Sequence, residues 1–141
     1  MIVNNNFTKT VDLLHRALDA STIRRAVIAN NITNAGIPNF KRSDVNFESE
    51  LKRALETEKQ KPVIELTRTD PRHISNWQPR NYQDVQVRRV LDYVSTSNNN
   101  GSNVNPEEEF NLALENQMRY MLLASAAAFE FGQVNMAMRN M

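Results

Sequence analysis

Residues 28–47 read IANNITNAGIPNFKRSDVNF, and the fold turns on how this stretch is parsed. Three asparagines, Asn30, Asn31 and Asn34, crowd the end of a helical run. Gly36 and Pro38 follow, then Phe40, the cations Lys41 and Arg42, and a loosely alternating tail with Val45 and Phe47 apolar. Pro38 has no amide hydrogen and pushes Ile37 towards an extended backbone, so no helix runs through it. Gly36 can adopt the left-handed conformation that ends helices. The stretch is therefore a helix exit and an elbow.

Upstream, Phe7, Val11, Leu14, Leu18, Ser21, Ile28, Ile32 and Ala35 follow alternating three- and four-residue steps, the spacing of a coiled-coil seam. Arg25 also falls on the seam as a misfit, while Ala17, Ala20 and Ala26 beside it would admit a close neighbour. A helix over about 7–34 would be roughly 42 Å long. Residues 1–6 are Asn-rich and expected to fray unless a partner orders them.

Downstream of the elbow, Glu48 to about Lys61 reads as a charged surface helix with one thin apolar edge, Leu51 and Leu55. Residues 62–94 change character. PVIEL and the alternating YQDVQVRRVLDYV read as short strands around a turn-rich TDPRHISNWQPRN, with Trp77 a packing anchor. They are too short for a sheet of their own, so a hairpin or extended arms against the helices are expected. The tract 95–103, STSNNNGSN, reads as a solvated loop.

The second long helix announces its start. Asn105 suits the N-cap, Pro106 the first helical position, and Glu107, Glu108 and Glu109 the positive end of the dipole. No proline follows. Phe110, Leu114, Met121, Ala124, Ala128 and Phe131 make one seam, broken by Gln117; Met118, Leu122, Ser125, Phe129, Gly132 and Met136 make a second beside it. One partner helix of about 28 residues does not cover two seams. Leaving the second wet forgoes about 1.5–3 kcal/mol for each large side chain. Self-association or docking on related chains is the expected outcome. Leu14, Leu18, Ile28, Leu114, Met118, Met121, Leu122 and Phe129 are the expected helix-interface residues.

Composition fits a mainly α chain and excludes little else. At 141 residues a single small body is the prior. Hydrophobic residues are 40% of the chain and mean hydropathy is −0.57. The net charge of +1 argues against nucleic acid and acidic membranes as partners. Without cysteine there is no disulfide framework or thiol chemistry. No apolar run approaches the roughly 18 residues of a spanning helix. The first ten residues, MIVNNNFTKT, carry no pattern of a cleaved signal. The 19 asparagines are an unusual load of a residue that caps and turns well and supports helix interiors poorly.

Nothing in the chain assembles into recognisable catalysis. His15 and His73 have no neighbours at metal-ligand spacing. Thr69-Asp70-Pro71-Arg72-His73 gathers an acid, a base and a cation, but Asp-Pro is ordinary turn chemistry. Arg24-Arg25 and Lys41-Arg42 are better read as salt bridges or subunit contacts than as a nucleic-acid patch. The methionines of the last helix suit an adaptable interface. No catalytic residue, cofactor, metal or small-molecule substrate is expected. The side chains of Asn30, Asn31 and Asn34 are either exposed polar groups or bond backbone at the exit turn or on a neighbouring chain. The residues alone also leave open a helical-hairpin adaptor that binds one partner.

Ala29-Asn30-Asn31-Ile32-Thr33-Asn34-Ala35, followed by Pro38-Asn39-Phe40-Lys41, resembles the N-terminal signature of bacterial flagellar rod and hook proteins, A-N-N-I-A-N-A-N-T-P-G-Y-K. Gly36-Ile37 replaces Asn-Thr, and Asn39-Phe40 replaces Gly-Tyr; both keep the turn. Arg42-Ser43-Asp44-Val45-Asn46-Phe47 with Leu51, Asn103-Val104-Asn105 before the acidic helix start, and Asn116 with Tyr120 resemble proximal-rod members of that family. The resemblance spans about 7–55 and 90–135. It implies paired terminal helices, 1–35 with 104–141, in a coiled-coil-like inner domain, and a small extended or β-hairpin middle over 36–103. It implies a structural subunit exported through the flagellar type III gate without a cleaved signal and stacked into a helical shaft across the periplasm. Implied partners are copies of itself, other rod proteins, the MS-ring with its rod adaptor, and the export gate. The motif positions Ala29, Asn30, Asn31, Ile32, Asn34, Pro38, Phe40, Lys41, Asp44 and Phe47 are the implied assembly residues.

Overall fold

A computed structural model describes residues 6–59, 69–70, 72–73, 80–95 and 98–139. The elements are α1 (Asn6–Thr33), β1 (Ser43–Asn46), α2 (Glu48–Lys59), β2 (Arg88–Leu91) and α3 (Pro106–Arg139), with a single 3₁₀ turn at Tyr82–Asp84. The chain is mainly helical, as the periodicity predicts. α1 and α3 pair antiparallel. Phe7 meets Phe131 edge-on with ring centroids 6.2 Å apart, Ser21 bonds Asn116, and Asn31 bonds Glu109.

The end of α1 and the start of α3 each have a local cause. The Thr33 hydroxyl donates to the Ala29 carbonyl (2.7 Å), and the Asn34 main-chain and side-chain N–H groups both donate to the Asn30 carbonyl. The last turn then tightens, with Ala35 N bonding Ile32 O. Gly36 does not supply the left-handed residue. Asn39 does, with φ 59°, because a short polar side chain tolerates that region and the turn falls after Pro38. Asn39 N donates to Asn100 O, and opposite it Gly101 is also left-handed, with φ 79°. A Cβ on Gly101 would run into the Asn39 side chain. At the other helix, the Asn105 side chain accepts from Glu107 N (3.1 Å), the N-cap its sequence predicts.

β1 and β2 form a two-stranded antiparallel sheet, extended at one end where Asp92 N donates to Arg42 O (3.0 Å). β2 lies in the second run read as a strand. Its partner is the tail of the elbow. The strand expected at 62–66 and the anchor Trp77 lie outside the described residues.

Internal packing divides the chain into two units: the described residues of Met1–Val45 with Arg89–Met141, and those of Asn46–Arg88. In the first, Ala20, Val27, Ile28, Val45 and Val104 are buried beside the polar Ser21, Asn31, Ser102, Asn103, Glu109 and Asn116. The tract 95–103 is thus no uniformly solvated loop: Ser102 and Asn103 at its end are buried, as is Val104. In the second unit Phe47 and Ala54 are buried. Glu50 there sits between Arg53 (3.3 Å) and Arg80 (3.0 Å), beside an open cleft of about 470 Å³ that Asn81, Asp84 and Arg88 help to line. No helix among the described residues is long and apolar enough to cross a membrane.

A polar joint and a candidate assembly surface

A primary amide carries the same donor and acceptor as a peptide group, so an asparagine side chain can stand in for a strand neighbour. Three buried asparagines of the first unit do this kind of work. Asn31 comes from α1: its Oδ1 accepts from Ser43 N (3.0 Å) and its Nδ2 donates to Ser43 O (2.8 Å). The same Nδ2 reaches Glu109 Oε2 (3.2 Å). Asn103 fills the gap at the end of the sheet: its Oδ1 accepts from Arg42 N (2.6 Å) and its Nδ2 donates to Asp92 O (2.8 Å). Asn116 clamps the helix pair, accepting from the Ser21 hydroxyl (2.9 Å) and donating to Ser21 O (3.0 Å).

Glu109 ties these groups together. It is 1% exposed, and Arg42 Nε donates to its Oε1 at 3.0 Å. A buried carboxylate is tolerated only when its charge is met and its lone pairs are used. Here a guanidinium takes one oxygen and an amide the other. Lys41 Nζ donates to Gly101 O (3.1 Å), Ser102 Oγ to Ala35 O (3.3 Å), and Arg24 Nη2 to Val45 O (3.4 Å). The elbow, the sheet and the start of α3 are therefore one polar joint. At its edge the Asp92 carboxyl is held below its ordinary range by the Ser95 hydroxyl, then by the Ser95 and Val94 N–H groups.

The motif positions divide accordingly. Asn31 and Phe47 are buried; Ile32, Asn34, Phe40 and Lys41 are half-buried; Ala29, Asn30, Pro38 and Asp44 are exposed. Asp44 turns back on its own strand and accepts from Val45 N (2.7 Å). Of the three asparagines at the helix exit, Asn31 bonds backbone across the turn, Asn34 bonds backbone at the helix end, and the Asn30 residue is exposed. The sequence reading does not single out Glu109. The acidic run at 107–109 reads as a dipole feature, yet Glu109 lies seven residues before Asn116, on the same helical face. That spacing was the available signal.

On α1, Leu14 and Leu18 are half-buried, Ser21 and Ile28 buried, and Arg25 exposed. Beside these, Ala20, Val27 and Asn31 form a second buried line, while Ala26 faces solvent. α3 behaves differently. Its buried residues are Glu109 and Asn116, continued in the same phase by half-buried Leu112, Ala113, Leu123, Ala124, Ala127 and Val134. Most of the two apolar seams lie away from this line. Phe110, Leu114, Met118, Met121, Leu122, Phe129 and Met136 are each more than half exposed, Leu122 as much as 72%.

Among the described residues, the two histidines and the 69–73 turn form no second centre. His15 is exposed beside Asp19 (3.6 Å), and Asp70 Oδ1 accepts from Arg72 N in a turn. Among the described residues no group of His, Cys, Asp or Glu is placed to hold a metal.

A helix pair locked by a polar joint, with a long apolar face left open, defines a coiled-coil-like structural protein. Comparison with family models finds no match. Curated relatives do match along nearly the whole chain. A flagellar basal body rod protein FlgB of Borreliella burgdorferi is 41% identical over 135 residues, 96% of this chain and 99% of the relative. The FlgB of Borrelia hermsii is 40% identical over the same shares, and that of Bacillus subtilis 27% over 128 residues, 91% of this chain and 92% of the relative. The chain belongs to the FlgB family of flagellar basal body rod proteins, as a structural subunit of the rod. These relatives give no support to a single-partner adaptor.

Proposed function

We propose that this chain is a proximal-rod subunit that packs against copies of itself and against other rod proteins to form a helical shaft across the periplasm. It transmits torque through packing and catalyses nothing. Its neighbours at the base are the MS-ring, the rod adaptor and the flagellar export gate, through which it reaches the periplasm. The open apolar face of α3, from Phe110 to Met136, carries this reading. Each large side chain there stands to gain about 1.5–3 kcal/mol on burial, and exposed apolar faces of this extent mark interaction sites. A helical stack brings two different faces of neighbouring subunits together, so the contact propagates. The motif residues Ala29, Asn30, Pro38 and Asp44, exposed in the single chain, are the parts of the elbow presented to neighbours.

Electron microscopy of basal bodies that carry a tagged copy tests the proposal. Label in the rod is expected, and its absence from otherwise complete basal bodies would overturn it. Exposed-face variants such as Met118→Ser with Leu122→Ser should fold as monomers and fail to enter the rod.

A further inference from the structure

We infer that the outer edge of β2 is a strand-addition site for an extended segment of another subunit, one that carries two adjacent carboxylates next to two adjacent apolar side chains. This rests on the assembly reading and names a contact within it.

The two edges of the small sheet are treated differently. In an antiparallel ladder, alternate residues point their main-chain groups at the partner strand. The bond from Asp92 N to Arg42 O sets the register, so Ser43 and Val45 point away from β2. Those outward groups of β1 are taken: both main-chain groups of Ser43 by Asn31, Val45 O by Arg24, and Val45 N by Asp44. By the same alternation Arg89 and Leu91 turn their N–H and C=O groups outward from β2, and no described residue bonds them. All four residues of β2 are exposed. The edge continues into Tyr93, 72% exposed, and Val94, 93% exposed.

An open row of main-chain donors and acceptors is a template for another strand. Among the described residues neither proline nor a covering loop guards this one; its guards are its four-residue length and its two arginines, which repel a like-charged strand and admit an acidic one. Its side chains indicate what it takes. Arg88 and Val90 share one face, and Arg89 and Leu91 the other. Each face thus presents a cation followed by an apolar group. The matching strand sets carboxylates opposite the arginines and apolar side chains opposite Val90 and Leu91.

Proline at 91 removes an outward N–H and leaves the bonds to β1 in place, since an edge strand accepts proline on its open side. The comparison is Leu91→Pro against Leu91→Ala in the full chain, read as the amount of tagged protein in purified basal bodies. Leu91→Pro should lower incorporation about tenfold or more and Leu91→Ala less than about twofold. Incorporation of Leu91→Pro at the wild-type level would overturn the inference. Should the proline variant lose its helical circular dichroism, Arg88→Glu with Arg89→Glu replaces it, with loss expected and wild-type incorporation contradicting the inference. A photo-crosslinker at position 89 in assembled rods then identifies the occupant. An adduct in an extended apolar and acidic segment of another chain supports the inference; an adduct in a helix, or in β2 of a second copy, overturns it. A wild-type tag absent from the rod would instead defeat the assembly reading itself.

Discussion

On the side of α3 that meets α1, the fully buried residues are Glu109 and Asn116, and the rest of the line is small or half-buried. On its open side stand Phe110, Leu114, Met118, Met121, Leu122 and Phe129, each more than half exposed. The inner face has the directional contacts and the outer face the apolar area. Hydrogen bonds have fixed angles and fixed partners, so Asn116 on Ser21 and Glu109 on Asn31 and Arg42 set the register of two helices. Apolar side chains tolerate sliding and repacking, which suits a surface that must fit several neighbours. The division separates the contacts that define the subunit from those proposed to join subunits.

Breaking the inner face should cost most. Glu109→Ala leaves Arg42 without its counter-charge in a largely buried site, and a loss of about 3–5 kcal/mol is expected in urea unfolding followed by circular dichroism. Glu107→Ala and Glu108→Ala, on exposed residues of the same turn, are the matched controls and should stay within about 0.5 kcal/mol. Asn31→Leu strands the main-chain groups of Ser43 and should cost about 1–3 kcal/mol, as should Asn116→Leu through Ser21. Gly101→Ala forces a side chain into a left-handed position and against Asn39, for about 1–2 kcal/mol. Leu122→Ser should change monomer stability by no more than about 0.5 kcal/mol. If it cost as much as Asn31→Leu, the contrast between the faces would fail.

The smallest effect is on pH. The folded-state pKa of Asp92 lies below its ordinary value, so the support it gives the Asp92–Ser95 turn is complete above the ordinary carboxylate range. It is lost as the pH falls through the folded value. Asp92→Asn should remove that acid dependence, read from the Val94 and Ser95 amide signals in a pH titration.

The long elements were legible because their signals are local. The period from Phe7, the cap at Asn105 and Pro106, and the stop at Pro38 place α1 and α3 to within a residue or so. The joint was far less legible. Asn31 finds Glu109 across 78 positions, and Arg42 finds Asn103 across 61, so no window along the chain contains both partners. An asparagine written in sequence looks the same whether it caps a helix or replaces a strand. The left-handed residue is Asn39 and not Gly36, which could also adopt that conformation, because the turn forms after Pro38, where Gly101 leaves room for it. Most large side chains of the two α3 seams point away from α1 within one chain, Phe131 on Phe7 excepted, because the helices are held together along a different line, by two polar anchors and half-buried residues such as Leu112, Leu123 and Ala127. On the assembly reading, the apolar period of α3 records burial that only the assembled rod completes.

Hydrogen exchange along α3, measured on the dilute chain and again on assembled rods, tests that division directly. Long helices without partners are marginal in water. The account predicts that the turns from Glu109 to Asn116 are protected in both states, and that the turns from Met118 to Met136 gain strong protection only in the rod. Full protection along the whole of α3 in the dilute chain, or no protection at Glu109–Asn116, would contradict it.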